Sequence, residues 1–382
     1  MFARKIPVPG QSFFLFGPRS TGKSTWLKAH FTNARTYNLL KTGEFLRLNA
    51  DPEALYSETH MLKPGQWVVI DEIQRSPALL YEVHRLMEEH NLLFAMSGSS
   101  ARKLRKGGSN LLAGRAVVKH LFPLVSPEMN FEFDPAVALQ FGMLPLSIQS
   151  RDPVEFLKAY AEVYLREEIQ AEALTRNVAG FGRFLEIAAR QNGQITNFTG
   201  IARDAAINRH TVSTYFEILC DTLIAFWLPV WQLKSRTRQV QQPKFYLFDT
   251  GVARALSGRL SYPPSPEEEG VLLETFLLNE IRAYIEYSKK YYQIHYWRSY
   301  TGLEVDVFCE TKDGFTAIEI KSSKRWDKRF NRGLNAMRRE MPDSNVKCYG
   351  VYPGDKQALL DNISIFPIID FLKRLWQGEI FL

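Results

Sequence analysis

Cysteine is scarce: 382 residues hold three, Cys220, Cys309 and Cys348, far apart and each in apolar strand- or helix-like context. That excludes a disulfide framework and a thiolate metal site, so the three read as reduced core residues of a cytoplasmic protein. No apolar run is long enough to span a bilayer, and the opening MFARKIPVPGQ is too short and too polar for a secretory leader. No membrane partner is expected. Internal repeats and low-complexity tracts are missing too, which leaves an ordinary globular chain. Charge imbalance is slight: a formal net charge of +7 permits contact with nucleic acid or acidic lipid without requiring it. The length suits two or three domains of about 100–150 residues each. We place them at 1–150, 151–255 and 256–382.

What is present begins with SFFLFGPRSTGKSTWLKAHF (12–31), an apolar run, a glycine-rich loop and a helix start. Residues 17–24 satisfy G-x-x-x-x-G-K-[ST] throughout. Gly17 and Gly22, with Pro18, Arg19, Ser20 and Thr21 between them, let backbone N–H groups wrap phosphates. Lys23 reaches the β/γ oxygens, Ser24 ligates Mg²⁺, Thr25 completes the nucleotide-binding stretch, and the N-terminus of the following helix adds its dipole. ATP and Mg²⁺ are the expected ligands. QWVVIDEIQRS (66–76) reads as a central parallel strand that delivers carboxylates at its C-terminal edge. Asp71 would hold the Mg²⁺ water shell and Glu72 would polarise the attacking water; the plainer alternative is a strand end with a solvated acid pair. PALLYEVHRLMEEH (77–90) has apolar residues at helical spacing and should pack on the same sheet.

A third strand, NLLFAMSGSS (91–100), ends in polar residues. Ser97 is the choice for sensing the γ-phosphate, with Ser99 and Ser100 as alternatives. Of the arginines that follow, Arg102, Arg105 and Arg115, the last is best placed as an arginine finger for a neighbouring subunit, which implies a homo-oligomer. A sheet-edge arginine without that role is the alternative. GPRSTGKST, VVIDEIQ, FAMSGSS, the AGR at 113–115 and FPLVSPE at 122–128 resemble a prokaryotic AAA+ ATPase family of largely unknown function. The resemblance implies an α/β class: a P-loop core whose parallel sheet has the order 5-1-4-3-2, joined to a C-terminal domain of unknown function. Ser97 departs from it, since the family more often has threonine there; the hydroxyl survives.

After an expected linker at 150–156, YLREE places Arg166 and Glu167 in an element that also recurs in the family, as a lid residue or a structural ion pair. Residues 197–249 then give a short helix, a turn at 206–208, a second helix from Thr211, and two strands flanking a basic tip. That is the outline of a winged helix-turn-helix. Arg209, His210 and Thr211 would face a DNA groove, and Lys234, Arg236, Arg238 and Lys244 would form the wing. A pure packing role is the alternative.

The last third runs helix, three strands, helix, strand, and this αβββαβ order resembles the core of PD-(D/E)XK nucleases. EVDVFCETKDGFTAIEIKSS (304–323) carries its acids within two strands. Alternation puts Glu319 and Lys321 on one face, and Asp306 opposite Val305 and Val307. The turn in TKDGF would fold Asp306 back near Glu319. Glu274 falls on the apolar stripe of the preceding helix, where an acid is costly unless paired or metal-bound. Glu274, Asp306, Glu319 and Lys321 thus form a possible nuclease site for a second Mg²⁺ or Mn²⁺. A buried ion pair of Glu274 with Lys321 or Arg298 is the alternative. Basic residues at 324–332 would suit a phosphate backbone or a solvated helix face equally. The function read from the whole is an ATP-hydrolysing protein coupled to DNA binding or processing. The alternative is a nucleotide-dependent switch or scaffold whose nuclease-like domain binds a partner without cleaving it.

Overall fold

A computed structural model describes residues 2–100, 102, 104, 112, 114–165, 178–231 and 242–381. The short apolar runs of the N-terminal third become five parallel strands: β1 (Phe13–Phe16), β2 (Arg35–Asn38), β3 (Trp67–Asp71), β4 (Leu93–Gly98) and β5 (Val117–His120). Their order is β2-β3-β4-β1-β5, which read from the other edge is the expected 5-1-4-3-2. Parallel pairing demands long returns, supplied partly by α1 (Lys23–His30), α2 (Thr42–Ala50), α3 (Glu53–Thr59) and α4 (Leu79–His90). The expected stripe of α4 is buried at Leu79, Leu80, Val83 and Leu86. Because all five strands run the same way, the chain leaves β1, β3 and β4 at one edge of the sheet.

Three short helices follow: α5 (Pro135–Phe141), α6 (Pro145–Gln149) and α7 (Pro153–Ala159). The stretch expected as a linker is partly helix: Asp152 accepts the Glu155 N–H as N-cap, and Pro153 opens the first turn. Leu144, Leu157 and Tyr160 join one core with α8 (Val178–Arg190), α9 (Phe198–Asp204), α10 (Arg209–Asp221) and α11 (Thr250–Leu256). Asn208 caps α10, so this helix starts two residues before Thr211. Strands β6 (Gln194–Ile195), β7 (Ala225–Leu228) and β8 (Lys244–Leu247) make a small antiparallel sheet in the order β6-β8-β7.

The C-terminal third is a six-stranded mixed sheet, order β13-β14-β12-β11-β10-β9. It is built from α12 (Pro266–Tyr287), β9 (Ile294–Arg298), β10 (Glu304–Thr311), β11 (Gly314–Ile320), α13 (Arg332–Glu340) and β12 (Val346–Tyr352). Three more elements close it: β13 (Ala358–Leu360), β14 (Ile363–Pro367) and α14 (Ile368–Gln377). The expected hairpin is present, with Thr311 opposite Gly314. Gly314 has φ +136°, and a Cβ there would stand 2.2 Å from the Asn345 carbonyl oxygen, so only glycine fits. Helices α12 and α14 cover Val307, Ile318, Ile320 and Val351, while α13 covers Val305, Phe308 and Ala317. Val305 and Val307 therefore lie in different cores. The simple alternation expected around Asp306 fails because the pairing of β10 with β9 shifts register between Val305 and Phe308.

Helix α12 also docks on the first sheet. Glu280 accepts from the Ser126 N–H at 2.7 Å, from the Ser126 hydroxyl at 2.5 Å and from Trp376 Nε1 at 2.8 Å. Tyr287 Oη accepts from the Phe122 N–H, and Arg282 stacks 3.7 Å from the Phe226 ring centroid.

Candidate functional site

At the exit of β1 the chain turns tightly enough to need its glycines. A Cβ on Gly17 would lie 2.4 Å from the Leu121 carbonyl oxygen, and Gly22 has φ +94°. Ser20 shares the left-handed conformation at φ 65°. The loop's carbonyls are tied to this chain's own donors. Arg4 donates to Thr21 O at 2.5 Å, Tyr160 to Arg19 O at 3.1 Å, and Thr21 Oγ1 to Pro18 O at 2.8 Å. Lys23, buried, donates to Gly17 O at 2.8 Å and Pro18 O at 3.1 Å. A trans peptide points its N–H away from its C=O. The amides that follow the carbonyls held by Arg4 and Tyr160 therefore point the opposite way from those carbonyls. The loop opens on a cavity of about 1040 Å³ whose walls include Arg19, Ser20, Gly22, Lys23, Ser24, Thr25, Trp26, Glu72 and Gln74.

Asp71 ends β3 and Glu72 follows it; of the two, Glu72 lines that cavity. Asp71 is buried and accepts from the Ser97 hydroxyl, whose oxygen in turn accepts the Glu72 N–H at 3.2 Å. Ser97 thus sits between the two acids. Glu72 is held at φ 65°, ψ 44°, a conformation a non-glycine residue adopts only under constraint. Its Oε2 accepts from Gln74 Nε2 at 2.5 Å, and Gln74 also donates to Ser99 Oγ at 3.1 Å. Sequence reasoning missed Gln74; the one available signal was an amide in the turn directly after the acid pair. The hydroxyl of Ser24 and the carboxylate of Asp71 are the hard oxygen donors that Mg²⁺ takes, so the residues present fit that ion.

Arg115 stands elsewhere. It precedes β5, at the edge of the sheet opposite the phosphate loop, and pairs with Glu88 at 2.5 Å. Arg102 ties the sheet to the end of α10 through Asp221 at 3.2 Å. Arg105, Arg166, Glu167, Lys234, Arg236 and Arg238 lie outside the described residues.

Of the expected groove residues, Arg209 and His210 are exposed in the first turn of α10. Thr211 is committed to the helix cap: its N–H and hydroxyl both donate to Asn208 Oδ1, at 2.7 and 2.9 Å. That use competes with the expected base contact. Lys244 corrects the wing reading more firmly. It is buried and pairs with Glu304 at 2.9 Å, facing the C-terminal sheet and not solvent.

The four residues picked from the C-terminal third do meet. The hairpin register pairs Val307 with Ile318, which sets Asp306 across from Glu319. Lys321 Nζ lies 2.5 Å from Glu319 Oε1 and 3.7 Å from Asp306 Oδ2. Asp306 also accepts the Ile320 N–H at 2.7 Å. Glu274 accepts from the Tyr246 hydroxyl at 2.7 Å. The alternative Glu274–Arg298 pair does not form, since Arg298 is with Glu304 at 3.5 Å. Tyr246 and Lys244, both from β8, are thus members of the centre that sequence reasoning placed elsewhere or overlooked.

Electrostatics follow from burial. Loss of solvent, then the neighbouring Asp306 charge, push Glu274 up to about 8. The same two causes, burial and Asp306, raise Glu319 well above the usual carboxylate range, with Lys321 opposing them. Burial works against the Lys321 charge, but Asp306 and Glu319 outweigh it and hold the ammonium above its ordinary range. Lys244 is raised in the same way, by Glu274, Asp306 and Glu304 against burial. Glu319 Oε2 is buried without a hydrogen-bond partner. These donors suit a hard divalent cation. The arrangement, however, is not a preformed cage: among the described residues no three His, Cys, Asp or Glu side chains stand ready around one ion. The Lys321 ammonium lies between two of the acids.

With this geometry in hand, comparison with known proteins divides the chain in three. Residues 10–130 match the AAA domain family, 138–262 a domain of unknown function (DUF8612), and 269–371 another domain of unknown function (DUF4143). Two uncharacterized proteins, from Mycobacterium bovis and Mycobacterium tuberculosis, are each 27% identical over 318 residues, covering 80% of this chain and 69% of the relative. Among solved structures, the Aeropyrum pernix ORC1 protein in complex with DNA aligns at a TM-score of 0.30 and 14% identity, over 66% of this chain and 87% of that one. A signal-transduction ATPase with a tetratricopeptide-repeat sensor from Pyrococcus horikoshii aligns at 0.21 and 14%, over 75% and 48%. Overlaps this loose carry no argument about this chain. The N-terminal third is thus similar to AAA domains, and the cavity at the phosphate loop is lined by residues of that matched stretch and a few from either side of it. Among the described residues no helix is long and apolar enough to cross a membrane.

Proposed function

Starting from an AAA domain followed by two domains of unknown function, we propose that this chain is a Mg²⁺-dependent ATPase that couples its nucleotide cycle to DNA. The observation that carries the ATPase reading is Glu72. Its constrained backbone and its two polar neighbours, Gln74 and Ser97, hold a carboxylate on the wall that also bears Lys23. In this reading Glu72 takes a proton from the attacking water, and Lys23 donates to the β/γ oxygens. Ser97 reports on the γ-phosphate, and Ser24 and Asp71 hold the ion. Mg²⁺, when bound, neutralises charge that develops on the phosphate oxygens. Arg115, remote from its own chain's loop, acts only across an oligomer. The test is ATP turnover with Mg²⁺ or with EDTA: Lys23→Ala loses nucleotide binding, while Glu72→Gln binds ATP and keeps only a small residual rate of turnover. Undiminished hydrolysis by Glu72→Gln would remove Glu72 as the base.

DNA coupling rests on the exposed first turn of α10 and on the carboxylate centre beneath β8. A second reading, a switch whose C-terminal domain binds without cutting, is favoured by the ammonium lodged between Asp306 and Glu319. Labelled single- and double-stranded DNA incubated with ATP and Mn²⁺ separates the two. Cleavage that disappears in Asp306→Ala supports processing; ATPase stimulated by DNA that stays intact supports the switch.

A further inference from the structure

Gln74 is the buried polar group at the phosphate-loop cavity that touches the Glu72 carboxylate directly. It lies in the short turn Ile73–Arg75 and is 5% exposed. Its amide nitrogen is shared between Glu72 Oε2 at 2.5 Å and Ser99 Oγ at 3.1 Å. Its amide oxygen is buried with no hydrogen-bond partner. The orientation is chemically determined, because turning the amide over would press its oxygen against the Glu72 carboxylate. Leaving a buried carbonyl unpaired is unfavourable, so the contact to Glu72 is kept against a cost. The neighbouring strand makes room for it: a Cβ on Gly98 would stand 2.6 Å from Gln74 Oε1. Glu72, Gln74 and Ser99 all border the same cavity as Lys23.

We propose that Gln74 is the positioning residue of the ATPase: its N–H fixes the Glu72 carboxylate on the cavity wall, and Ser99 fixes Gln74. The inference rests on Glu72 acting as the base. Hydrogen bonds to charged groups are worth enough that losing one costs about ten- to a hundredfold in a rate they control. The residue acts on turnover, not on nucleotide capture, since the phosphates are held by the loop and Lys23.

The test uses the full chain and steady-state ATP hydrolysis with Mg²⁺. Gln74→Met keeps the length and apolar bulk of the side chain but removes the donor. Expected is a fall in kcat of about tenfold or more with KM within about twofold of wild type. In the double variant with Glu72→Gln, Gln74→Met has no further effect, because a positioner cannot matter once its carboxylate is gone. Ser99→Ala gives a smaller fall of the same kind. A kcat for Gln74→Met equal to or above wild type overturns the proposal, as does a loss confined to KM. So does a further fall of about tenfold in the double variant. Nucleotide binding and thermal unfolding of each variant show whether a low rate comes from a misfolded chain; should Gln74→Met misfold, Gln74→Glu places a like charge against Glu72 and must lower kcat in the same non-additive way. If Glu72→Gln itself turns over normally, the base assignment fails first. If Glu72→Gln keeps only a small residual rate and Gln74→Met is not slowed, only the role of Gln74 falls.

Discussion

Replacing Lys321 by methionine removes the ammonium from between Glu319, at 2.5 Å, and Asp306, at 3.7 Å. At an effective dielectric of about 20 each pair is worth roughly 4–7 kcal/mol before desolvation is subtracted. Breaking a buried pair on one side typically costs about 3–5 kcal/mol. The Lys321 side chain is 29% exposed, which favours the low end, about 3 kcal/mol near pH 8. The abandoned carboxylates can escape by taking up a proton, at about 1.4 kcal/mol per pH unit above their ordinary range. Over the interval from pH 8 to 5.5 that slope amounts to about 3.5 kcal/mol, so the deficit must be largely gone near pH 5.5. Sign and window agree: a carboxyl raised in the folded state contributes stability that is complete below its ordinary value and is lost as pH rises through the folded one. Glu274, at about 8, and Glu319, raised well above its range, both behave so. Urea unfolding of wild type and Lys321→Met, followed by tryptophan fluorescence at the two pH values, reads the difference. A pH-independent deficit, or one below about 0.5 kcal/mol at pH 8, would refute the coupled-cluster account. Added Mn²⁺ should restore stability to Lys321→Met and not to Lys321→Met combined with Asp306→Asn, if a cation can replace the ammonium.

Further outcomes can be checked in the same preparations. Asp249, Glu280 and Glu274 are pushed by burial up to about 6, 7 and 8, so the folded chain holds protons that the unfolded chain has released. Stability measured by denaturant should fall between pH 5.5 and 8.5; His295, lowered by burial, opposes this only below its ordinary 6.5. Glu280→Ala strips acceptors from Ser126 and Trp376 and should lower stability by about 2–4 kcal/mol, seen as a drop in Tm. Gly314→Ala forces a Cβ onto the Asn345 carbonyl in a left-handed turn, and thermal unfolding should show a loss of about 2–3 kcal/mol. Arg115→Ala should cost less than about 1 kcal/mol, because its partner Glu88 is half exposed, and should leave ATP binding by calorimetry unchanged.

How far the sequence could be read depended on how local each feature is. The phosphate loop is nine consecutive residues from Gly17 to Thr25, and its glycine requirements follow from the chain's own turn, so it was legible. So was the sheet order, but through family resemblance and not through any pattern in the strands themselves. The hairpin at 311–314 was equally local, and it brought Asp306 to Glu319 as the turn implied. Errors began where a distant partner decides the outcome. The bulge against β9 divided Val305 from Val307, which alternation within one strand cannot foresee. Lys244 looked like a wing residue because it follows a basic tip. Glu304, sixty positions away and on another sheet, claims it instead, together with the field of Glu274 and Asp306. Tyr246 escaped notice for the same reason, since a tyrosine in an apolar strand reads as core until its hydroxyl is found on Glu274. Gln74 failed differently: it is only two residues from Glu72, yet strand periodicity stops at Asp71 and predicts nothing about a turn. In both sites the acids were recoverable from sequence. The neutral and cationic groups that set their charge state were not, because any of several lysines, tyrosines or amides could have filled that place.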